Sequence, residues 1–437
     1  AAGLSAAEVI RSRDSSASIV ILTNEPHPFY SRPGLAYYLS GLVPAQQLHS
    51  RSMEFYAKHK IDLCFVSAER IEVDSKRVIT KERQIFAYDV LLLATGASAV
   101  PPPFPGSELD GVVTFDTLAD ANEIIAKCRR AKSAIVAGGG ITALELAEGL
   151  NRQGVKTTLL QRKDRIWPRL FDDKESAIVA EAVRHEGIKV IFNEEITEIN
   201  GKKGRVQSVK LKSDNELKCQ IVGVAIGVRP SLALVRDTTI RTDRGIPVDP
   251  YLQTSVPGIF AAGDVAQVLD RWTGKYNLDV LWPSAINEGR AAGYNMVDAA
   301  NGIAPTHLYQ KGSPFNAALL CGIHLTVIGH VGSQDDGTTD EFQHLSRGSS
   351  SVWTSPFSKS YRSAWDSKGP NSLRIVISDG KIAGALILGD QQMADPLREL
   401  IENEVDIAEH QSELLSAGDT LPKMLLAIWQ KAQRSKV

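Results

Sequence analysis

The stretch Lys132-Ser133-Ala134-Ile135-Val136-Ala137-Gly138-Gly139-Gly140-Ile141-Thr142-Ala143-Leu144-Glu145-Leu146-Ala147-Glu148-Gly149-Leu150 decides the fold, its strand read over Lys132 to Ala137. The β-branched content of that run predicts a short buried strand. Three glycines follow, and then a helix-forming run. Val155-Lys156-Thr157-Thr158-Leu159-Leu160 predicts a second strand. Strand, glycine turn, helix and strand in this order make a βαβ unit, and Gly138, Gly140 and Ala143 give the spacing GxGxxA. Gly138 permits the tight turn, and Gly140 lets the backbone approach a pyrophosphate. Ala143 keeps helix and strand close, and the helix N-terminus faces the phosphates.

The residue after the second strand bears on the coenzyme. NAD sites usually place Asp or Glu there. Here it is Gln161, followed by Arg162, Lys163 and Arg165. Glutamine bonds a ribose hydroxyl without repelling a 2′-phosphate, and the nearby cations attract one. The sequence therefore leans to NADPH, with NADH also admitted.

The start of the chain reads as half of a second such unit. Residues 1–11 predict a helix and Ser18-Ile19-Val20-Ile21-Leu22 a strand. Gly3 stands as the third glycine of a GxGxxG turn whose first strand and first two glycines are missing. Glu25, just past the strand, stands where an acid bonds a ribose hydroxyl.

Composition narrows the class. A chain of 437 residues suggests about three domains. Hydrophobic content of 43% with 23% charge fits a globular chain with a large core. Lys and Arg number 49 against 51 Asp and Glu, so nothing points to nucleic acid. No apolar run approaches the ~18–20 residues that span a bilayer. With no signal or transit segment, the cytoplasm is the default location. Cys64, Cys128, Cys219 and Cys321 form no CxxC, metal or iron–sulfur pattern, and are expected as buried small side chains. The histidines show no ligand spacing, so no metal site is expected.

Three further segments carry a family resemblance. Tyr88-Asp89-Val90-Leu91-Leu92-Leu93-Ala94-Thr95-Gly96, Val222 to Pro230, and Gly258-Ile259-Phe260-Ala261-Ala262-Gly263-Asp264 resemble the YDxLLLATG, GxRP and GIFAAGD segments of FAD-dependent pyridine nucleotide oxidoreductases. The order and separation of all five segments match over residues 1 to 310. Pro28-Phe29-Tyr30-Ser31-Arg32-Pro33-Gly34-Leu35 resembles the segment beside the flavin in NAD(P)H:rubredoxin reductases and in the flavin part of the nitrite reductase large subunit. Residues 321–329 and 381–390 look like the small C-terminal domain of those proteins.

The resemblance implies an α/β fold of two nested Rossmann-like domains, glutathione-reductase-like, with a small α+β C-terminal domain. The FAD-binding domain would be 1–112 plus 246–310, the NAD(P)-binding domain 113–245, and the C-terminal domain 311–437. A long polar loop is expected over 332–371, with a hairpin turn at Asp379-Gly380. FAD would be held by Gly3, Glu25, Ala94, Thr95, Gly96, Gly263 and Asp264, with Arg32 and Pro33 flanking the ring and Trp282 shielding it. NAD(P)H would be held by Gly138, Gly140, Ala143, Gln161 and Arg162, with Glu145 and Gly227 bordering the nicotinamide pocket. Glu145 and Arg32 are the candidate catalytic residues. No CxxxxC or SCGLPYY cysteine is present, which argues against a thiol relay. The resemblance implies hydride transfer from NAD(P)H to FAD, with electrons passed to a small redox protein or fused redox module, and an oligomer is open. Two alternatives stand beside it: an NAD(P)H oxidase using oxygen, and a flavin-free binding subunit without catalysis.

Overall fold

The computed structural model describes residues 1–332, 345, 347–354 and 361–434. Its contacts divide the chain into two compact units. The first comprises Ala1–Tyr38, Leu42–Ser98 and Val228–Lys311. The second comprises Leu39–Gly41, Ala99–Gly227 and Gly312–Val437. The stretches read from the sequence as an NAD(P) domain and a C-terminal domain thus cluster together.

In the second unit, the predicted βαβ element sits at the centre of a five-stranded parallel sheet. The order is Lys189–Phe192, Lys156–Gln161, Ser133–Ala137, Ile221–Val224 and Val112–Val113. Ala134 to Ala137 and Ile221 to Val224 are buried throughout, as continuous apolar runs in parallel sheets are when both faces are covered. Helix Ile141–Arg152 buries Ala143, Leu144, Leu146, Ala147 and Leu150. Helix Asp173–His185 begins with a reciprocal cap, Asp172 taking the Glu175 N–H and Glu175 the Asp172 N–H.

This unit also holds a three-stranded antiparallel sheet, Ile196–Lys202, Arg205–Leu211 and Glu216–Lys218, and a five-stranded antiparallel sheet in the order Phe315–Leu320, Ile323–Gly329, Lys381–Leu388, Asn371–Ser378 and Arg362–Lys368. Asp379 (φ 50°) and Gly380 (φ 71°) close the expected hairpin with both residues left-handed. Leu397, Leu400, Leu414, Leu421 and Leu425, from the helices that follow, pack with Ile375, Ile377 and Ile387 in one core. The stretch read as a polar loop over 332–371 contains a strand, Arg362–Lys368, and a 3-10 turn, Ser351–Thr354. Alternation of Ala364 and Asp366 with exposed neighbours is too short a signal to separate an edge strand from a polar loop. The rest of that expectation, 333–344, 346 and 355–360, lies outside the described residues.

The first unit contains two parallel strand pairs, Ile19–Thr23 with Ile61–Phe65 and Leu91–Leu93 with Ile259–Ala261. Among the described residues, no strand joins one pair to the other. Helices Ala2–Arg13 and Trp282–Ala300 lie against each other. A Cβ at Gly289 would stand 2.2 Å from the Ala2 carbonyl oxygen, so only glycine permits this approach.

Within the second unit, the two sheets are tied by one buried ion pair. Arg374 Nε and Nη2 donate to Glu175 Oε1 and Oε2 at 2.7 and 3.0 Å. Its Nη1 and Nη2 also donate to the Val331 and Leu170 carbonyls, both at 2.7 Å. Removing one partner leaves the other charge buried and uncompensated, so Arg374→Ala is expected to destabilise the protein by roughly 3–5 kcal/mol. Urea denaturation of the variant measures it. A loss below about 1 kcal/mol would show that the pair is not the tie described.

Candidate functional site

The parallel sheet has a topological switch point. From strand Ser133–Ala137 the chain continues to Lys156–Gln161 on one side, while Ile221–Val224 lies on the other. Ligands of open α/β sheets bind outside the carboxyl ends of the strands at this point. The turn 138–140 lies there. A Cβ on Gly138 would stand 2.2 Å from the Ala225 carbonyl oxygen and 2.8 Å from Ala143 Cβ, so position 138 tolerates no side chain. Gly140 is the N-cap of helix Ile141–Arg152 and supplies no capping side chain. The Ala143 N–H returns to the Gly140 carbonyl at 3.1 Å, while no side chain caps those of Ile141 and Thr142, and Gly139 beside them is exposed. These residues fit a pyrophosphate.

Gln161 departs from its expected posture. It is buried, and its Nε2 donates to the Gly138 carbonyl oxygen at 2.7 Å. It therefore braces the glycine turn from inside, while Arg162 beside it is exposed. Gly227, with φ +127°, follows strand Ile221–Val224, and its carbonyl accepts the Val100 N–H at 2.9 Å. Glu145 lies one turn into the helix and is partly buried. Burial, and then the charge of Glu148, push its carboxyl up to about 8, with Arg347 acting against the shift. Glu148 is engaged elsewhere, accepting Arg152 Nε and the Cys321 N–H, each at 3.0 Å.

The first unit gathers the residues expected around a flavin. Gly263 (φ +78°) donates its N–H to Glu288 Oε2 at 2.7 Å, and Asp264 follows, partly exposed. Burial holds Glu288 well above the usual carboxylate range. Trp282 opens helix Trp282–Ala300 and lies 5.5 Å from the Phe29 ring at 36°. Glu25 takes Tyr30 Oη at 2.5 Å and Arg32 Nη2 at 2.6 Å, so two residues expected to contact the cofactor separately contact each other. Thr95 Oγ1 donates to the Ser231 carbonyl, and Gly96 (φ +67°) accepts the Ser231 N–H. A Cβ on Gly3 would lie 3.4 Å from Ala94 Cβ, the close approach that a third glycine serves. Pro33 is exposed. An open face with Asp264 and uncovered Ala94 and Thr95 fits a polyhydroxylated cofactor chain.

Sequence reasoning missed a buried charge cluster in this unit. Lys311 Nζ lies 3.3 Å from Asp270 Oδ2 and 3.0 Å from Asp279 Oδ2, with all three side chains at 2% exposure or less. The available signal was Asp279 inside the apolar run Leu278 to Leu281. Asp116, Glu148 and Arg347 were missed as well, and they come from separate elements with no common motif. Of the four cysteines expected to be buried, Cys64 is only partly so, on a strand that among the described residues pairs on one side alone; burial pushes the Cys128 thiol up to about 11, and those of Cys219 and Cys321 to about 12. Thiols so held are not nucleophiles at neutral pH.

Comparison with known proteins agrees with this geometry. A profile of the pyridine nucleotide-disulphide oxidoreductase family matches residues 1–289. The chain is 26% identical to the assimilatory nitrate reductase electron transfer subunit of Bacillus subtilis (strain 168), over 92% of this chain and 48% of that one. It thus spans about half the length of that relative. It is 31% identical to an NADH oxidase of Methanocaldococcus jannaschii, over 68% of each chain. The fold is that of putidaredoxin reductase in its covalent complex with putidaredoxin, with a TM-score of 0.81, 20% identity, and coverage of 98% of this chain and 96% of that one.

Two outcomes follow from the geometry. Gln161→Glu removes the donor that braces Gly138. It is expected to weaken NADH and NADPH by similar factors, measured as KM for each; a shift confined to NADPH would place Gln161 at the 2′ position instead. Glu145, with its folded value raised from 4.5 to about 8, costs stability progressively as pH rises through that window and costs none below it. Glu145→Gln is therefore expected to raise Tm by about 2 °C or more at pH 8.5 and to leave it unchanged at pH 4.5. A gain equal at both pH values would contradict a buried, titrating carboxyl.

Proposed function

This chain belongs to the pyridine nucleotide-disulphide oxidoreductase family, and we propose that it is an FAD-dependent NAD(P)H oxidoreductase passing electrons to a redox protein or module without a redox-active disulfide. The carrying observation is the Gly138–Gly140 turn at the switch point of a parallel sheet, with no side-chain cap on the helix it opens and no room for a Cβ at Gly138. Bound flavin supplies a hydride acceptor that links a two-electron donor to one-electron acceptors.

The chain's own residues supply position and charge. Gly138, Gly140 and Ala143 set the backbone against the coenzyme pyrophosphate, Gln161 braces that turn, and Arg162 attracts a 2′-phosphate where NADPH is used. Glu145 and Gly227 border the nicotinamide end. Asp264 accepts hydrogen bonds from the flavin side chain, oriented by the Gly263–Glu288 contact. The head of helix Trp282–Ala300 favours negative charge at the flavin, and Arg32 adds a cation held by Glu25. Gly3, Ala94, Thr95 and Gly96 line the backbone floor, with Pro33 and Trp282 at the rim. The buried thiols of Cys128, Cys219 and Cys321, held well above neutrality, do not favour a thiol relay.

A redox protein as acceptor is supported by the relative described as an electron transfer subunit. Among the described residues no helix is long and apolar enough to cross a membrane. A cytoplasmic setting, where pyridine nucleotides are abundant, belongs to the same proposal, as does the division into an FAD domain, an NAD(P) domain and a C-terminal domain. The NADH oxidase relative supports oxygen as a second acceptor.

Steady-state assays separate these readings. The FAD-loaded protein is expected to turn over with rubredoxin or ferredoxin at least about tenfold faster than with oxygen alone, and the reverse order would favour the oxidase. Asp264→Ala is expected to lose bound flavin, read from the visible absorption of the purified protein. An unaltered protein that is colourless and refuses added FAD would end the enzyme reading.

A further inference from the structure

The segment 347–354 lies within the second unit and reaches the carboxyl edge of its parallel sheet. Arg347 Nη2 donates to Asp116 Oδ1, and Asp116 Oδ2 accepts the Ala99 N–H at 3.1 Å. Asn316, on a strand of the antiparallel sheet, donates Nδ2 to the Gly348 carbonyl at 2.8 Å. A Cβ on Gly348 would stand 3.8 Å from Cγ2 of Ile141, the first residue of the helix that follows the glycine turn. Ser349, Ser350, Val352 and Trp353 are buried behind it. The segment is therefore a packed wall.

Its place along a bound dinucleotide follows from topology. Asp116 comes after strand Val112–Val113, which lies beyond Ile221–Val224 from the glycine turn. Gln161 and Arg162 end the strand on the opposite side. A dinucleotide crosses the switch point, with its pyrophosphate at the turn and its adenosine half toward the acidic or glutamine position. Its nicotinamide half then runs toward Asp116.

Without Arg347 this end would carry two carboxyl groups, Asp116 and Glu145, against an anionic ligand. The Arg347 guanidinium is paired with the first and acts electrostatically on the second. Its planar donors match the acceptor that distinguishes the nicotinamide itself, the carboxamide oxygen.

We propose that Arg347 is a coenzyme-binding residue supplied by the C-terminal part of the chain and selective for the nicotinamide ring of the dinucleotide. This rests on the NAD(P)H reading above.

Calorimetric titration of the full, FAD-loaded chain tests it with two probes. One is 1,4,5,6-tetrahydro-NADH, which cannot donate a hydride; the other is ADP-ribose, which lacks nicotinamide. Arg347→Ala is expected to weaken the NADH analogue roughly tenfold or more and to leave ADP-ribose within about twofold. Arg347→Lys keeps the charge and the fold but not the fork. It is expected to weaken the analogue several-fold with ADP-ribose unchanged, and it carries the test if the alanine variant folds poorly. Unchanged affinity for both probes, equal loss on both, or tighter binding of both would overturn the proposal. Failure of ADP-ribose to bind the unaltered protein would instead remove the coenzyme site itself, and the proposal with it.

Discussion

The second unit depends on the lack of space around Gly138. Strand Ser133–Ala137 must turn into helix Ile141–Arg152 while the Ala225 carbonyl and Ala143 crowd the turn from two sides. Only a residue without Cβ makes that turn, and the same lack of side chain bares the N–H groups that an anion needs. Packing and binding are therefore one constraint. The brace from Gln161 adds to it, because a fully buried amide with its nitrogen on the Gly138 carbonyl fixes the turn before any ligand arrives. Pre-ordering of this kind reduces what binding must spend on conformational entropy.

Charge is handled in two ways. Arg374 with Glu175, and Lys311 with Asp270 and Asp279, are buried as opposite charges. Such groups add little net stability but make loss of a partner costly. Glu145 and Glu288 are instead held toward the neutral form by burial. A neutral carboxyl beside a glycine turn does not repel phosphate as a carboxylate would. The Arg347–Asp116 pair extends the same economy to an element from the far end of the chain.

Much of this was legible in the sequence where the signal was local. The GxGxxA spacing, the strands on either side and the Asp379-Gly380 turn are read within a few residues, and backbone sterics leave few alternatives. Gly3, Ala94 and Gly263 carry expectations from resemblance alone, since they lie on segments far apart in the chain. What escaped was set by tertiary contact. Gln161 points inward because Gly138 offers a carbonyl there, which no strand-end rule anticipates. Arg362–Lys368 becomes a strand because Asn371–Ser378 pairs with it, although its polar outer face reads as loop. The union of Arg347, Asp116 and Glu145 joins residues more than 200 positions apart, beyond the reach of any periodicity.

The claim that the glycine turn serves a nicotinamide coenzyme whose electrons reach a flavin is tested most directly by a single anaerobic turnover. The FAD-loaded protein is mixed with one equivalent of NADH or NADPH, and the oxidised flavin absorption is followed. The account predicts full bleaching by at least one of the two coenzymes, and its loss when Gly138 is replaced by valine. A flavin band that stays unchanged with both coenzymes, or bleaching that survives Gly138→Val at the original rate, would contradict it.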